Sequence, residues 1–365
     1  MENKSFLTDQ IITYIGNKRK LLPQIEEEVI KIKEKLGKEK ISCVDLFSGS
    51  GIVARMLKQH SSTLYTNDME EYSFLINECY LTNRETFDEE KYLRYYELIR
   101  DEVENLIDGV ISNNYAPKDE NNITKEDRVF YTKKNAQIID TVRKAIDTYV
   151  DDESYKKYFI APLLYEASVH CNTSGVFKGF YKDKETGIGK YGGNGENALQ
   201  RIKGEITIQK PIFSNYSCDV SNYKMDSNIL VKELPETDII YIDPPYNQHP
   251  YGSNYFMLNT IIKNELGKDV SKVSGIPKGW NKSKYNKKKE IKEAFTELIK
   301  GCKAKYLIIS YNSEGFLTKD ELFRILTKRG KTTCKEIVYP TFRGSRNLRN
   351  RNITVNEYLF VVECF

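Results

Sequence analysis

The sequence predicts an α/β protein built on a doubly wound sheet. Short apolar segments alternate with helical patterns along most of the chain, as expected for a sheet covered by helices. Six segments are predicted to be strands: residues 41–47, 63–67, 238–242, 305–310, 336–339 and 355–362. A glycine turn follows the first segment and a diproline turn follows the third. Both turns therefore lie at carboxyl ends of strands, where open α/β sheets bind ligands.

Two helices in the C-terminal third follow from local patterns. The first is an apolar stripe at helical spacing that begins at Ile291 and ends at Gly301. The second begins with a capping box, Thr318 with Glu321, and stops before Gly330. Both helices fit between strands of the predicted sheet.

The middle of the chain predicts an insertion. Residues 89–107 and 141–150 have charged, helical patterns and none of the apolar segments that mark the sheet. We therefore predict a catalytic domain made of residues 1–85 and 200–365, and an inserted, mainly helical region of residues 86–199.

Composition limits the class of protein. The 365 residues carry a net charge of +4, so any polyanion site depends on local clusters of charge. The seven cysteines are scattered without a C-x-x-C pair, and the three histidines show no metal-ligand spacing. No signal peptide or apolar span of membrane length is visible. We expect a reduced cytoplasmic protein without a metal and without a membrane segment.

The glycine turn after the first strand has the features of a nucleotide-type site. Glycines allow the backbone to approach a ligand, and the helix over 52–60 offers free N–H groups at its start. An acid at the end of the next strand can accept both hydroxyls of a ribose. The missing third glycine of G-x-G-x-x-G suits a ligand without pyrophosphate, while a purely structural turn stays possible. The candidates are Asp45, Phe47, Ser48, Gly49, Gly51 and Asp68.

The diproline turn is the strongest chemical signal in the chain. The strand over 238–242 runs into Asp243, Pro244, Pro245 and Tyr246. Two prolines stiffen the turn and remove two backbone donors, which leaves the Asp243 carboxylate and the Pro244 carbonyl as acceptors. Two acceptors can localise the lone pair of an aromatic amine for attack, and Tyr246 can stack on an extruded base. The alternative is a structural Asp-Pro-Pro turn.

These two motifs together resemble the motif pair of Dam-like DNA adenine amino-methyltransferases. Residues 14–22 resemble the N-terminal motif of that group, whose aromatic, Gly and Lys contact the methionine end of the cofactor. The resemblance therefore implies cofactor contacts for Tyr14, Gly16 and Lys18. The motif order is the "alpha" arrangement, with target recognition in the insertion.

The resemblance implies a Rossmann-like sheet that binds S-adenosyl-L-methionine, and methylation of the N6 amine of a flipped adenine in double-stranded DNA. Residues 251–255 and 309–315 resemble segments of the modification-methylase branch, so a cognate restriction endonuclease is a possible partner. Asp219 occupies the position where the group contacts the adenine of the cofactor. Adenine is favoured over cytosine because the diproline motif starts with Asp instead of Ser, and no Pro-Cys dipeptide is present.

Two basic segments are candidates for contact with nucleic acid. Residues 171–193 alternate aromatic and basic side chains with glycines, which predicts a basic hairpin. Its candidates are Lys178, Tyr181, Lys182, Lys190 and Tyr191. A Gly/Ser/Asn loop carries the second set, which suits phosphate contact: Arg343, Arg346, Arg349 and Arg351. A solvated surface is the alternative for both segments, and solubility is the simpler explanation of the lysines in residues 282–289.

Two other functions compete with this hypothesis. An RNA adenine methyltransferase has the same catalytic motif, although the long insertion favours sequence-specific reading of a duplex. A catalytically inactive module that binds nucleic acid would keep the fold, although Asp243, Tyr246 and Asp68 are all intact.

Overall fold

The protein forms one seven-stranded sheet. The computed structural model describes residues 1–340 and 354–365. The strands are β1 (Ile41–Asp45), β2 (Ser61–Asn67), β3 (Asp219–Tyr223), β4 (Thr237–Ile242), β5 (Ala304–Asn312), β6 (Gly330–Pro340) and β7 (Thr354–Cys364). Their order across the sheet is β3-β2-β1-β4-β5-β7-β6. The strands from β3 to β5 run parallel, and β7 lies antiparallel between β5 and β6.

The strand order reverses at β1. The chain places β2 and β3 on one side of β1 and β4 and β5 on the other, which creates a crevice at the carboxyl ends of β1 and β4. At this edge, Asp45 is paired in register with Thr66 of β2 and with Tyr241 of β4. The glycine turn and the diproline turn therefore open into the same crevice.

Each of the six predicted strands is present, with ends that differ by a few residues. The strand that sequence analysis missed is β3, at the edge of the sheet. Its five residues are exposed or half-buried, because one side of an edge strand has no neighbour. They therefore lack the apolar run that marked the other strands.

Helices cover both faces. They are α1 (Lys4–Thr8), α2 (Leu22–Leu36), α3 (Ile52–Lys58), α4 (Glu71–Tyr80), α5 (Glu89–Glu102), α6 (Val110–Asn114), α7 (Lys133–Tyr149), α8 (Glu153–Val169), α9 (Leu199–Lys203), α10 (Ser227–Glu233), α11 (Tyr251–Asn254), α12 (Phe256–Lys263), α13 (Ile291–Gly301) and α14 (Lys319–Leu326). The predicted ends of α13 are confirmed. The Thr318–Glu321 capping box at the start of α14 is also confirmed.

Alternate residues along the strands face two separate cores. Cys43 of β1 belongs to one core and its neighbour Val44 to the other, and Ile239 and Ile240 of β4 divide in the same way. This alternation follows from the two-residue period of a strand whose faces are both buried. The doubly wound architecture predicted from the sequence is thereby confirmed.

The predicted insertion, residues 86–199, contributes α5, α6, α7 and α8. Helix α8 packs against α4 and α12, while α7 packs against α5. Buried side chains of α7 and α8, including Ile139 and Leu164, belong to the same core as Ile76 of α4. This segment is therefore joined to the sheet through a continuous apolar core, and its role in target recognition stays a prediction.

Over the described ranges, none of the helices combines the length and apolar character that crossing a membrane requires. In the same ranges, His, Cys, Asp and Glu side chains form no group that could hold a metal ion. The seven cysteines are free thiols, and five of them are buried.

Candidate active site

A cleft of about 780 Å³ opens at the carboxyl edge of the parallel strands. It is formed by the segment before α2, the turns after β1, β2 and β4, and part of the loop between α12 and α13. Among the residues predicted from the sequence, those that line it are Tyr14, Gly16, Lys18, Asp45, Phe47, Ser48, Gly49, Asp68 and Asp243. The fold thus brings three separate sequence motifs together.

The glycine turn is fixed to the end of β2. Ser48 N donates to the Asn67 carbonyl at 2.9 Å, and Gly49 N donates to Asp68 Oδ2 at 2.9 Å. The other carboxylate oxygen of Asp68 accepts from Glu70 N at 3.0 Å. These bonds hold the Asp68 carboxylate at the cleft wall beside the turn.

Two glycines of this turn have backbone roles. Gly49 adopts φ +50°, and a Cβ built there would lie 2.7 Å from Tyr14 Cε1. Gly51 adopts φ +75° at the start of α3, and its Cβ would lie 2.8 Å from Asn77 Oδ1. Gly51 therefore shapes the turn from behind the cleft wall, whereas Gly49 lets Tyr14 approach.

The close approach at Gly49 predicts a difference in stability between two glycine variants. Gly49→Ala is expected to lower the free energy of unfolding through left-handed strain of about 1–2 kcal/mol plus an overpacking cost of about 1–3 kcal/mol. Gly37→Ala is the matched control, because Gly37 has φ +61° and open space around its Cβ. Urea unfolding should show the larger loss for Gly49→Ala. Equal losses would mean that Tyr14 does not pack against Gly49.

Tyr14 packs against two other tyrosines. Its ring stacks on Tyr251 and Tyr255 with centroids 5.0 Å and 4.7 Å away. Ile15 N donates to Tyr255 Oη at 2.6 Å, and Tyr251 Oη donates to the Ile15 carbonyl at 3.2 Å. The N-terminal motif is thereby fixed to the α11 segment, which follows the diproline turn.

A buried lysine joins two carboxylates beside the diproline turn. Lys18 Nζ lies 3.0 Å from Asp243 Oδ1 and 2.9 Å from Glu357 Oε1. Lys18 is 4% exposed and Glu357 is 2% exposed. Glu357 lies on β7, where it also accepts from Ser310 Oγ and Asn312 Nδ2, each at 3.0 Å. Two negative groups therefore share one cation.

This arrangement sets the ionisation of Asp243. Burial raises the pKa of Asp243 to about 7, the Lys18 ammonium opposes the rise, and the Glu357 carboxylate adds to it. For Lys18, burial lowers the pKa, but Asp243 and Glu357 outweigh burial and hold its pKa well above the ordinary value. Lys18 is therefore an ammonium, and Asp243 can exchange a proton near neutral pH.

Asp45 is a buried acid without a partner. Within the described residues, neither of its carboxylate oxygens makes a hydrogen bond. Burial raises the pKa of Asp45 to about 8, and the carboxylates of Asp243 and Asp68 add to the rise. Nearby backbone N–H groups partly offset this rise in the pKa of Asp45, although none of them is in hydrogen-bonding geometry. A buried carboxylate that lines a cleft in this state suits a cationic or hydrogen-bond-donating ligand.

The rest of the diproline motif borders the cleft. Pro245 lines it, and the neighbouring Pro244 is buried. The Tyr246 ring packs edge-on against Tyr311 of β5 at 6.0 Å, and its carbonyl accepts from Phe316 N at 2.9 Å. A Cβ built at Gly16 would lie 3.9 Å from Tyr246 Oη. Tyr246 is thus held beside the N-terminal motif.

The predicted position of Asp219 is corrected by the structure. Asp219 is the exposed first residue of β3 and pairs with Thr63 near the start of β2. Since β3 is parallel to β2, four residues at about 3.3 Å each separate Asp219 from the carboxyl edge. The acid at that edge is Asp226, which caps α10 by accepting from Asn228 N at 2.8 Å. The missed edge strand caused the error.

In place of the predicted basic hairpin, this segment forms a single antiparallel bridge, between Lys182 and Gly189. The glycines in this segment supply no cross-strand side-chain pairs to extend it. Lys178 and Lys190 are exposed, and Tyr181 and Lys182 are half-buried. These four side chains remain predicted DNA contacts.

Tyr191 is half-buried, and its predicted contact with DNA stays a prediction. Its hydroxyl lies 3.0 Å from Glu120 Oε1 and 3.2 Å from the Tyr131 carbonyl. Lys203 Nζ lies over its ring, 6.0 Å from the centroid. Both ring and hydroxyl are therefore engaged within the protein.

The predicted arginine contacts cannot be placed, because they lie outside the described residues: Arg343, Arg346, Arg349 and Arg351.

Sequence analysis missed Glu70 and Glu357. Glu70 lines the cleft, and burial raises its pKa to about 7 with a contribution from Asp68. For Glu357 a signal existed, because the period of β7 places it on the same buried face as Val355 and Leu359. An acid on that face needs a buried partner, and the partner is Lys18.

Comparison with known proteins identifies the family. Residues 14–325 match the family model of D12 class N6 adenine-specific DNA methyltransferases. The chain belongs to this family, so it is an enzyme that methylates adenine in DNA. The predicted choices of adenine over cytosine and of DNA over RNA are thereby confirmed.

Individual relatives are type II modification methyltransferases. The chain is 30% identical to the type II methyltransferase M.NlaIII of Neisseria lactamica, over 96% of this chain and 99% of the relative. It is 29% identical to M.CviAII of Paramecium bursaria Chlorella virus 1, over 96% and 98% of the two chains. A third relative, M.FokI of Planomicrobium okeanokoites, is 27% identical over 96% of this chain and 52% of its own length. The predicted resemblance to the modification-methylase branch is confirmed.

Proposed function

We propose that the enzyme transfers a methyl group from S-adenosyl-L-methionine to the N6 amine of an adenine flipped out of a specific site in double-stranded DNA. The observation that carries this proposal is one cleft that joins Asp243 of the diproline turn to the unpartnered carboxylate of Asp45. The first group can hold an amine, and the second can hold a cationic donor.

The residues of the cleft fit this donor. The buried oxygens of Asp45 can accept hydrogen bonds from the ammonium of the methionine moiety, which would supply the partner that Asp45 lacks. Asp68 can accept from the ribose hydroxyls with the lone pairs not used by Gly49 N and Glu70 N. Lys18 has three N–H donors and uses two for Asp243 and Glu357, so one is left for the methionine carboxylate.

S-adenosyl-L-methionine, when bound, supplies a methyl group on a sulfonium that a nitrogen can attack directly. Asp243 Oδ2 and the Pro244 carbonyl accept hydrogen bonds from the two N–H groups of the adenine amine. These two bonds localise the lone pair on the amine nitrogen. Tyr246 supports the extruded base by stacking. Asp243 Oδ2 then receives the proton that the methylated amine loses. A pKa of about 7 suits Asp243 for releasing that proton to solvent.

Transfer of a labelled methyl group from S-adenosyl-L-methionine tests the proposed substrate. Labelling is expected on duplex DNA and not on RNA of the same sequence. Sequencing of DNA from cells that express the protein should show N6-methyladenine at one repeated sequence. Modified cytosine amines, or labelling of RNA alone, would contradict the proposal.

Two acid variants test the donor site. Asp68→Ala is expected to weaken S-adenosyl-L-methionine at least about 10-fold, because charged hydrogen bonds to the ribose are lost. Asp219→Ala distinguishes the sequence-based placement of Asp219, in contact with the cofactor, from its place in the structure, away from the cleft. The structure predicts that this variant binds S-adenosyl-L-methionine with unchanged affinity. Isothermal titration calorimetry measures both. An affinity lost in Asp219→Ala and retained in Asp68→Ala would contradict the site.

We also propose a restriction–modification role, because relatives across the whole chain are type II modification methyltransferases. The cognate endonuclease would cut the sequence that this enzyme methylates. DNA from expressing cells should therefore resist an endonuclease of that specificity, once sequencing has identified the site. Cleavage of fully methylated DNA would contradict this role.

A further inference from the structure

Residues 270–289, called the lysine loop, lie between α12 and α13. The loop contains seven lysines and no acidic residue. All seven are exposed: Lys272, Lys278, Lys282, Lys284, Lys287, Lys288 and Lys289. Within the described part of the chain, ion pairs engage Lys278 with Asp269 and Lys287 with Glu290, and none engages the other five. The loop is thus a local positive surface on a chain of low net charge.

One end of the loop contacts the segment predicted to bind DNA. Ser274 Oγ donates to the Lys178 carbonyl at 2.9 Å, and Tyr115 Oη donates to the Gly275 carbonyl at 2.8 Å. The lysine loop therefore begins beside Lys178, one of the predicted DNA contacts.

The other end forms part of the cleft. Asn281, Ser283 and Asn286 line it. Asn281 Nδ2 donates to the Met69 carbonyl at 2.9 Å, and Asn286 Nδ2 donates to the Asn247 carbonyl at 2.8 Å. The loop thus runs from the predicted DNA-binding segment to the cleft and contacts the chain just after the diproline turn.

A buried tyrosine fixes the loop at this end. The Tyr285 hydroxyl donates to Asn228 Oδ1 at 2.7 Å, and its ring packs edge-on against Phe47 at 5.3 Å. With Ser283 at the cleft and Tyr285 in the core, the intervening Lys284 is held on the exposed side. The lysines are therefore attached to an ordered edge of the active site.

We infer that the lysine loop binds the backbone phosphates of DNA next to the flipped adenine. This inference rests on the proposed function. Exposed lysines recognise phosphates as point charges without reading sequence, and such contacts position a protein on a duplex. Solubility would account for the charge, but not for anchors at both the cleft and Lys178.

A triple variant tests the inference: Lys282→Ala, Lys284→Ala and Lys288→Ala. These lysines lie outside the two ion pairs above. Binding to a mixed-sequence DNA duplex is measured at several salt concentrations, so the recognition sequence is not needed. The slope of log K against log salt should become less steep by about 2 to 3, since each lost phosphate contact removes about 0.9. KM for genomic DNA should rise while kcat at saturating DNA changes little.

The matched control removes three exposed lysines at the opposite edge of the sheet: Lys300, Lys328 and Lys331. These lie at the end of α13, after α14 and at the start of β6. The control should keep the wild-type slope. A loop variant with the same slope as the control would overturn the inference and leave the proposed function intact. A wild-type enzyme that transfers no methyl group to duplex DNA would contradict the proposed function, while the binding slopes still decide the role of the loop.

Discussion

Asp243→Ala is expected to lower kcat about 10³-fold and to leave the affinity for S-adenosyl-L-methionine within a few-fold of wild type. The carboxylate is the charged acceptor for the target amine, and alanine removes both that acceptor and the receiver of the released proton. The fold should tolerate the change, because Lys18 keeps Glu357 as a buried partner at 2.9 Å. Single-turnover methyl transfer and calorimetry with the cofactor measure the two quantities separately.

Asp320→Ala is the control for this experiment. Asp320 is an exposed acid in the first turn of α14 and does not line the cleft. Its removal should leave single-turnover rates unchanged. Full activity in Asp243→Ala would show that the diproline turn does not hold the amine, whatever the affinity for the cofactor.

Glu357→Gln is expected to move the acid limb of the pH–rate profile to lower pH and to lower the plateau of kcat. In the wild type, the acid limb should lie near the pKa of Asp243, which is about 7, with activity rising as this carboxyl ionises. Glu357 raises that pKa, so removing its charge must lower it. Asp243 would also become the sole carboxylate paired with Lys18, which draws it away from the amine.

The two carboxylates are brought close together by the lysine that they share. Both carboxylates lie within 3.0 Å of Lys18 Nζ. In a buried site, a like charge this close disfavours the ionised form of its neighbour and so raises the neighbour's pKa. The pH dependence of kcat under saturating substrate and cofactor measures this shift.

Glu363→Gln serves as the control on the same strand. Glu363 lies at the other end of β7, where its carboxylate is 3.8 Å from Lys35 and about half of its side chain is exposed. Its profile should coincide with the wild type. If Glu357→Gln lowered the melting temperature without moving the acid limb, Glu357 would be a structural residue and not one that positions Asp243.

The sequence by itself determined the α/β architecture, six strands, both ends of α13, the start of α14, and the three motifs that meet in the cleft. These features are local. Short apolar segments, a capping box, a glycine turn and a diproline turn each depend on a few neighbouring residues. Because strand–turn–helix units place their turns at the carboxyl edge, the motifs after β1 and β4 could be assigned to one crevice before the structure was known.

The tertiary structure decided what depends on strand order and register. Lys18 and Glu357 come from opposite ends of the chain, and they meet because β7 inserts beside β5. Asp219 lies away from the site because β3 starts at this residue, whereas the site lies where the parallel strands end. The lysine loop borders the cleft through side-chain bonds to Met69 and Asn247. Such contacts join residues that are distant along the chain, so no local pattern encodes them.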